Sequence, residues 1–197
     1  MNELFPIYVK LHQLQTLLVG GGPVGLEKLQ ALLGNSPAAK VHLVAEQVDK
    51  EVIELVAAYP DVQVSQRSFV DSDLDRVDLV VLATNNPVLN ESIRKKTSER
   101  NILLNVADKP SLCDFYLGSV VRKGNLKIGI STNGKSPTIA KRLKEFLDEL
   151  LPEEIDETLT LMGELRNGLK GDFHEKVRLL NAHTKNMLRK EPHDSTN

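Results

Sequence analysis

The most constraining feature of this sequence is a glycine-rich run that joins an apolar segment to an amphipathic one. Residues 15–19 predict a short buried strand, residues 20–25 read GGGPVG, and residues 23–33 predict a helix. A G-x-G-x-x-G pattern between a strand and a helix is typical of dinucleotide-binding units. Its glycines let the backbone approach a pyrophosphate, and the helix start supplies N–H groups. A glycine-rich turn without a ligand is the alternative.

Strand-like and helix-like segments continue to alternate up to residue 106. This rhythm predicts an α/β fold, namely a Rossmann-like, doubly wound parallel sheet with helices on both faces. The near-continuous apolar run at 77–83 is typical of a strand that is covered on both sides. The predicted strands are 15–19, 40–45, 62–69, 77–83 and 102–106, and the predicted helices are 23–33, 49–59 and 90–100.

The rhythm changes after residue 112, where a hairpin and helices replace the alternation. The turn Lys123-Gly124-Asn125 lies between two strand-like segments, 116–122 and 126–131. We expect a Rossmann domain over 1–112, a dimerisation and substrate region over 113–150, and a helical region over 151–197 with a frayed end. Three helices are predicted after the hairpin. The first covers 137–150 and is capped by Ser136, and the second runs from Pro152 to Gly168 or Gly171. The third carries the apolar residues Phe173, Val177, Leu180 and Met187.

Composition excludes several classes of protein. Hydrophobic residues make up 41% of the chain and charged residues 26%, which is an ordinary globular balance. No apolar run approaches the roughly 18 residues of a membrane-spanning helix. The single cysteine, Cys113, excludes an internal disulfide and argues against a cysteine-built metal site, and we expect no metal ligands. The first residues lack the features of a signal peptide, so we expect a cytoplasmic protein.

Charge is distributed unevenly. Residues 109–144 hold eight basic side chains and one acidic one, whereas residues 145–164 hold eight acids and no base. The two segments could neutralise each other, or the basic segment could face an anionic ligand. Nucleic acid is a poorer candidate, because only Phe115 and Tyr116 offer stacking rings in the basic segment.

Polar residues follow the predicted strands at the edge where ligands bind in such sheets. Glu46, at the end of the second strand, could accept hydrogen bonds from ribose hydroxyls and repel a 2′-phosphate, which favours NAD over NADP. Thr84 and Asn85 could line the nicotinamide side or form an ordinary turn. Asp108 could be a general base or an ordinary loop aspartate. The predicted cofactor-binding residues are Gly20, Gly21, Gly22, Pro23, Val24, Gly25, Glu46, Thr84 and Asn85.

A second glycine-containing motif resembles the phosphate loop of nucleotide hydrolases. Residues 129–136 read GISTNGKS, which matches G-x-x-x-x-G-K-S. Three features argue against this interpretation: Gly129 lies within the predicted strand, Pro137 removes an N–H from the helix start, and the strand belongs to a hairpin. The basic loop still suits a carboxylate or a phosphate.

Four segments, taken in order, resemble the siroheme synthase family, in its precorrin-2 dehydrogenase / sirohydrochlorin ferrochelatase module. The resemblance extends over about residues 4–150, and the chain length matches a stand-alone module without a methyltransferase domain. The segments are 17–22 (LLVGGG), 83–86 (ATNN), 105–110 (NVADKP) and 131–137 (STNGKSP).

The resemblance implies NAD-dependent oxidation of precorrin-2 to sirohydrochlorin on the route to siroheme, with ferrous iron insertion as a further activity of some members. It implies a homodimer and makes Asp108 the key catalytic residue. Tetrapyrroles of this pathway carry many carboxylates, which suits the basic segment. The family's serine-rich loop corresponds to predicted substrate-binding residues Ser131, Thr132, Asn133, Gly134, Lys135 and Ser136.

Two departures from the family pattern bear on the second activity. Asn85 and Asn86 stand where two aspartates can occur, and Thr132 and Lys135 stand where serine and threonine can occur. They are compatible with dehydrogenation and leave iron insertion open. Two other classes of function also stay open, a non-catalytic NAD-sensing module and a nucleotide hydrolase.

Overall fold

The computed structural model describes residues 2–169 and 173–184, and it confirms the predicted α/β class. Five parallel strands form one sheet in the order β3-β2-β1-β4-β5. The strands are β1 Gln15–Gly21, β2 Lys40–Val48, β3 Val62–Gln66, β4 Leu79–Leu82 and β5 Leu103–Val106. The α-helices between them are α1 Pro23–Asn35, α2 Lys50–Val56 and α3 Pro87–Arg100, and a short 3₁₀ helix, Asp71–Leu74, stands in the β3–β4 crossover.

The register of the sheet aligns the carboxyl ends of its central strands. Val19 of β1 pairs with Val44 of β2 on one side and with Leu82 of β4 on the other, and Leu82 pairs with Val106 of β5. The chain builds the sheet outward from β1 in both directions. A topological switch point therefore lies between β1 and β4, which is where open α/β sheets bind ligands.

Apolar side chains cover both faces of this sheet, which explains why its strands are apolar almost throughout. One core includes Leu18 and Leu43 from strands and Leu29 from α1, all fully buried. The other includes Leu17 of β1 and Ile93 of α3, which are also fully buried. Both layers hold the strand ends in place.

Several element boundaries differ from the sequence prediction. The expectation that Glu46 closes the second strand is wrong, because β2 continues to Val48, which pairs with Gly21. Strand β3 ends at Gln66, where the predicted strand reached residue 69. Helix α3 begins at Pro87, because the Asn86 side chain accepts a hydrogen bond from the amide of Leu89 and caps it.

The remaining described elements are a two-stranded hairpin and three helices. They are β6 Ser119–Lys123, β7 Leu126–Ile130, α4 Pro137–Leu150, α5 Ile155–Gly168 and α6 Phe173–Thr184. The Ser136 hydroxyl accepts a hydrogen bond from the amide of Ile139, which confirms the predicted cap of α4. Helix α5 begins at Ile155, three residues after the predicted Pro152. Predictions for Gly171, Met187 and residues 191–197 lie outside the described residues.

The chain divides into two compact units. One combines the chain up to residue 120 with residues 129–141, and the other combines residues 121–128 with the chain from 142 onward. Within the second unit, the Asp156 carboxylate accepts hydrogen bonds from the amide and side chain of Asn125, at 2.7 and 2.9 Å. Lys123 pairs with Glu153, and Lys144 with Asp148. Some of the uneven charge is thus neutralised within this unit.

The two glycines of α1 differ in the space available for a side chain. A Cβ on Gly25 would collide with the carbonyl oxygen of Gly20, whereas no atom lies within 4 Å of the position of a Cβ on Gly34. We expect Gly25→Ala to lower the free energy of unfolding by about 1–3 kcal/mol through overpacking. Gly34→Ala should raise it by about 0.5–1 kcal/mol, because alanine favours helix. Urea unfolding measures both, and equal effects of the two variants would contradict the close packing at Gly25.

Candidate dinucleotide-binding site

The turn after β1 is shaped by two close backbone approaches. Gly20 has a φ of 116°, and a Cβ there would collide with the carbonyl of Ala83, directly after β4. Gly25 packs α1 against the Gly20 carbonyl. Both positions require glycine, so these two residues bring the start of α1 to the switch point of the sheet.

Gly22 differs from its neighbours because the space in front of it is open. It is the N-cap of α1 with a φ of −88°, and the nearest atom to a Cβ there, Asp49 Oδ2, is 4.0 Å away. Pro23 occupies the first helical position, where its missing N–H has no intrahelical partner to lose. An open backbone cradle at a helix N-terminus fits the pyrophosphate of a dinucleotide.

Asp49 is a residue of this site that the sequence analysis missed. It is the N-cap of α2, and its amide donates to the carbonyl of Gly21 at 2.9 Å. Its carboxylate consequently lies on the open side of Gly22. The sequence analysis took Asp49 as the first residue of the predicted helix 49–59, and the predicted strand end at residue 45 left it outside the site.

Glu46 lies in β2, directly after the last residue of β2 that pairs with β3. Its carboxylate is exposed and accepts a hydrogen bond from the Ser68 hydroxyl at 2.6 Å. The carbonyl of Glu46 also accepts a hydrogen bond from the Gln66 side chain at 3.4 Å. Contacts from the last residue of β3 and from the segment after it therefore hold Glu46, although two further residues of β2 follow it.

The loop after β4 is ordered by its own polar side chains. The Thr84 hydroxyl donates to the Asn90 side chain at 2.7 Å, and the Asn90 amide donates to the Thr84 carbonyl at 3.2 Å. Asn90 is buried, so the two residues close the loop from within. Asn85 is exposed. Thr84 therefore has a structural role beside its predicted cofactor contact.

Asp108 projects from the next loop along the same edge. Ala107 donates to the carbonyl of Leu82 at 2.9 Å, which extends the β4–β5 pairing by one residue. Asp108 then adopts a left-handed conformation with a φ of 57°, and it is exposed. The sheet thus brings the loops that carry Gly20, Thr84 and Asp108 to neighbouring strand ends.

The loop that carries Asp108 is closed at its base by residues that the sequence analysis did not assign. The Cys113 sulfur accepts a hydrogen bond from the amide of Val106 at 3.2 Å, and the Asn105 side chain donates to the Phe115 carbonyl at 2.8 Å. Burial raises the pKa of the Cys113 thiol, which keeps the thiol protonated. Asp114 pairs with Arg94 of α3 at 2.5 Å and raises the pKa of that guanidinium.

A small pocket opens beside this loop. It lies between the start of α3 and the segment after Asp108, and its wall includes both charged and apolar side chains. Its lining residues are Pro87, Asn90, Glu91, Lys109, Ser111 and Leu112.

The predicted substrate loop, residues 131–136, has local hydrogen bonds. The Thr132 hydroxyl accepts from the amide of Ser136 at 3.2 Å, and Lys135 is exposed. Pro137 has no N–H, and Ile139 and Ala140 donate theirs to Ser136. The start of α4 therefore offers fewer amides to an anion than the sequence suggested.

The same geometry argues against a nucleotide-hydrolase phosphate loop. Gly129 lies inside β7, and β7 belongs to a two-stranded sheet with β6. A phosphate loop instead follows a strand of a parallel β-α-β unit. The match to the G-x-x-x-x-G-K-S pattern is therefore not accompanied by the required structural context.

These features define the class of the protein: an α/β protein with an open glycine cradle at the switch point of a parallel sheet, as in dinucleotide-binding domains. A family model described as putative NAD(P)-binding matches residues 7–119, and a model described as sirohaem biosynthesis protein central matches residues 123–150. The chain belongs to this NAD(P)-binding family, which confirms a nicotinamide cofactor as the class of ligand.

Individual relatives confirm the resemblance to siroheme synthase. The chain is 35% identical over 172 residues to siroheme synthase of Baumannia cicadellinicola subsp. Homalodisca coagulata, covering 87% of this chain and 37% of that protein. It is 34% identical over 170 residues to siroheme synthase 2 of Yersinia pestis (strain Pestoides F), covering 85% and 35%. The chain therefore spans little more than a third of the length of these curated relatives.

A solved structure supports the same relationship. The structure titled "SirC, precorrin-2 dehydrogenase" is 25% identical to this chain, with a TM-score of 0.74, and the match covers 91% of this chain and 88% of that one. In the described part of the chain, every helix is too short or too polar to cross a membrane.

Gly22 offers a selective test of the cradle. Gly22→Val should weaken NAD binding at least tenfold, because its side chain fills the space that a pyrophosphate would occupy. Its φ is accessible to valine, so the fold should persist. Fluorescence titration with NADH measures the affinity, and Gly34→Ala is the matched control because Gly34 lies on the same helix. Unchanged affinity in Gly22→Val would exclude this turn as the pyrophosphate site.

Proposed function

We propose that this protein oxidises precorrin-2 to sirohydrochlorin with NAD as the hydride acceptor. The observation that carries the proposal is that Asp108 and the open glycine turn lie at the same carboxyl edge of one sheet, on either side of the loop after β4. The siroheme synthase relatives and the structural likeness to a precorrin-2 dehydrogenase support it. Iron insertion is not part of the proposal, because the sequence departs from the family pattern at Asn85, Asn86, Thr132 and Lys135.

The chain's contribution to cofactor binding would come from three places. The backbone at Gly20, Gly21, Gly22, Val24 and Gly25 would hold the pyrophosphate. Glu46 would accept hydrogen bonds from the adenosine ribose, and the loop at Thr84 and Asn85 would lie on the nicotinamide side. When bound, NAD supplies an acceptor for the hydride that leaves the tetrapyrrole.

Asp108 would act as the general base of the reaction. Oxidation of a carbon–nitrogen or carbon–carbon bond by hydride loss also releases a proton, and a carboxylate at the same sheet edge can accept it. Asp108 meets this requirement because it is exposed and projects from the loop after β5. The hydrogen bonds of Cys113 and Asn105 fix the base of that loop.

The basic segment would recognise the substrate's carboxylates. Lys135 is exposed on the loop before α4. Ser131, Thr132, Asn133, Gly134 and Ser136 make up the rest of this loop, and we propose all six as the substrate-binding region. Several basic residues elsewhere already have acidic partners, which leaves Lys135 as the better candidate than Arg142, a partner of Glu145.

We also propose that the protein forms a homodimer through region 113–150 and the helices after it. Helix α4 carries an apolar stripe at heptad spacing, Ile139, Leu143, Phe146 and Leu150, each 44–58% exposed. The first half of the helix is basic and the second half is acidic. An antiparallel partner helix would therefore place opposite charges together and cover the stripe.

We also propose a cytoplasmic location, which agrees with the single reduced Cys113.

The general-base role predicts a specific kinetic defect. Asp108→Asn should reduce NADH formation from precorrin-2 by roughly 10²–10⁴-fold, the usual contribution of a positioned base. Asparagine tolerates the left-handed backbone and keeps the size of the side chain, so fold and NAD affinity should persist. Anaerobic assays with precorrin-2, and NAD titrations as a control, separate the two properties. Turnover within a few-fold of the parent rate would exclude Asp108 as the base, whereas no turnover in the parent protein would favour an NAD-sensing role.

Lys135 provides a test of substrate recognition. A charge-assisted hydrogen bond contributes on the order of 1.5–3 kcal/mol. Lys135→Ala should accordingly raise KM for the tetrapyrrole about tenfold or more and leave NAD affinity unchanged. Lys40→Ala, at the opposite end of the sheet, is the control for loss of one exposed positive charge. An equal KM for both variants would assign the carboxylate contacts to other residues.

The dimer is tested by mass and by a charged substitution. Light scattering at micromolar concentration should give about twice the 21.9 kDa chain mass. Phe146→Glu should shift the mass toward the monomer, because it places a charge in the centre of the covered stripe. Ile53→Glu, on the exposed side of α2, should leave the mass unchanged. A parent protein that is monomeric would exclude this assembly.

A further inference from the structure

An ion pair lies at the carboxyl end of β3, directly beside the predicted ribose site. Arg67 donates to both oxygens of Asp73, at 2.6 and 2.8 Å, and the Asp73 side chain is 4% exposed. The Asp73 carboxylate also accepts a hydrogen bond from the amide of Val70 at 2.9 Å. The hydrogen bonds from Arg67 and Val70 lower the pKa of Asp73, although burial opposes them, so the pair stays charged near neutral pH.

Arg67 directly follows β3, and this position places the ion pair next to Glu46. Ala45 of β2 pairs with Gln66 of β3, so Glu46, still within β2, and Arg67, the first residue after β3, directly follow the last residue pair of the two strands. Ser68 links them further, because its hydroxyl donates to Glu46 while its carbonyl accepts from Arg67. An arginine near the ribose-binding acid is the group that accommodates the 2′-phosphate in NADP-binding sheets.

We propose that Asp73 determines the cofactor preference by withholding Arg67 from the 2′ position of the adenosine ribose. Asp73 occupies both arms of the guanidinium, and the bidentate geometry leaves Glu46 as the charged group that faces the ribose. The preference for NAD thus has two components, repulsion of a 2′-phosphate by Glu46 and withdrawal of the arginine that would bind it. The inference rests on the proposed placement of Glu46 at the ribose.

Release of Arg67 is the direct test. Asp73→Asn removes the charge and keeps an acceptor for the amide of Val70. The dissociation constant for NADP should fall roughly tenfold or more, the size expected for a new charge-assisted contact, while that for NAD changes little. In the double variant Asp73→Asn/Arg67→Gln the gain should disappear. Titration of the parent protein and both variants with NADH and NADPH, followed by fluorescence, measures these dissociation constants.

Two further variants provide the controls. Asp75→Asn frees Arg100 from a singly hydrogen-bonded, exposed ion pair and should change neither affinity. Arg67→Gln alone, which does not depend on the folding of Asp73→Asn, should leave NADP affinity as in the parent. A loss of NADP affinity in Arg67→Gln would show that the arginine already binds the phosphate, and it would overturn the inference. So would an unchanged NADP constant in a folded Asp73→Asn protein.

Glu46→Gln separates this inference from the proposal on which it rests. If Glu46→Gln weakens NAD binding and improves NADP binding, the ribose placement holds, and the Asp73 variants decide the role of Arg67. If Glu46→Gln leaves both constants unchanged, Glu46 is not at the ribose and the inference falls with it.

Discussion

The close approach of the Gly20 backbone to the Ala83 carbonyl is the constraint on which the rest of the site depends. It joins the ends of β1 and β4, the two strands on either side of the switch point. Because no side chain fits between them, α1 begins directly above the sheet and its N-terminus opens toward the crevice. The loop after β4 and the loop after β5 then lie at adjacent positions along the same edge. The Gly20 contact thus sets the glycine turn against the loop after β4, and the pairing of β4 with β5 adds the proposed base to the same edge.

The burial of each polar residue determines whether it stabilises a loop or is available to a ligand. Four polar side chains form hydrogen bonds that close the loops after β4 and β5. They are Thr84, Asn90, Asn105 and Cys113. Asp108, Asn85 and Lys135 are exposed, so they are available to small molecules. Asp73 and Glu46 show the same contrast within one corner of the sheet: the buried carboxylate holds an arginine, and the exposed carboxylate holds a serine hydroxyl. Buried groups therefore set the positions of the exposed groups beside them.

Local sequence patterns predicted the parallel sheet, the glycine turn and the Asp108 loop, because each depends on periodicity or on a compact motif. The features that escaped prediction depend on contacts that form only in the folded chain. Strand β2 passes Glu46 because Val48 pairs with Gly21, and Asp49 reaches the cradle because its amide binds the Gly21 carbonyl. The ion pair of Arg67 with Asp73 and the closure by Cys113 likewise need a folded loop. Sequence periodicity contains no information on which of several nearby carboxylates meets a given cation.

Asp114 has an effect beyond the site, on the outer edge of the sheet. Strand β5 is an edge strand, and an unpaired edge is a template for the strand of another chain. The amide of Asp114 donates to the Leu104 carbonyl at 2.7 Å, and its carboxylate accepts from the Leu104 amide at 3.0 Å. One residue thereby occupies both outward-facing backbone groups of Leu104 and adds a negative charge held by Arg94. The segment that closes the Asp108 loop thus also protects the sheet against edge-to-edge aggregation.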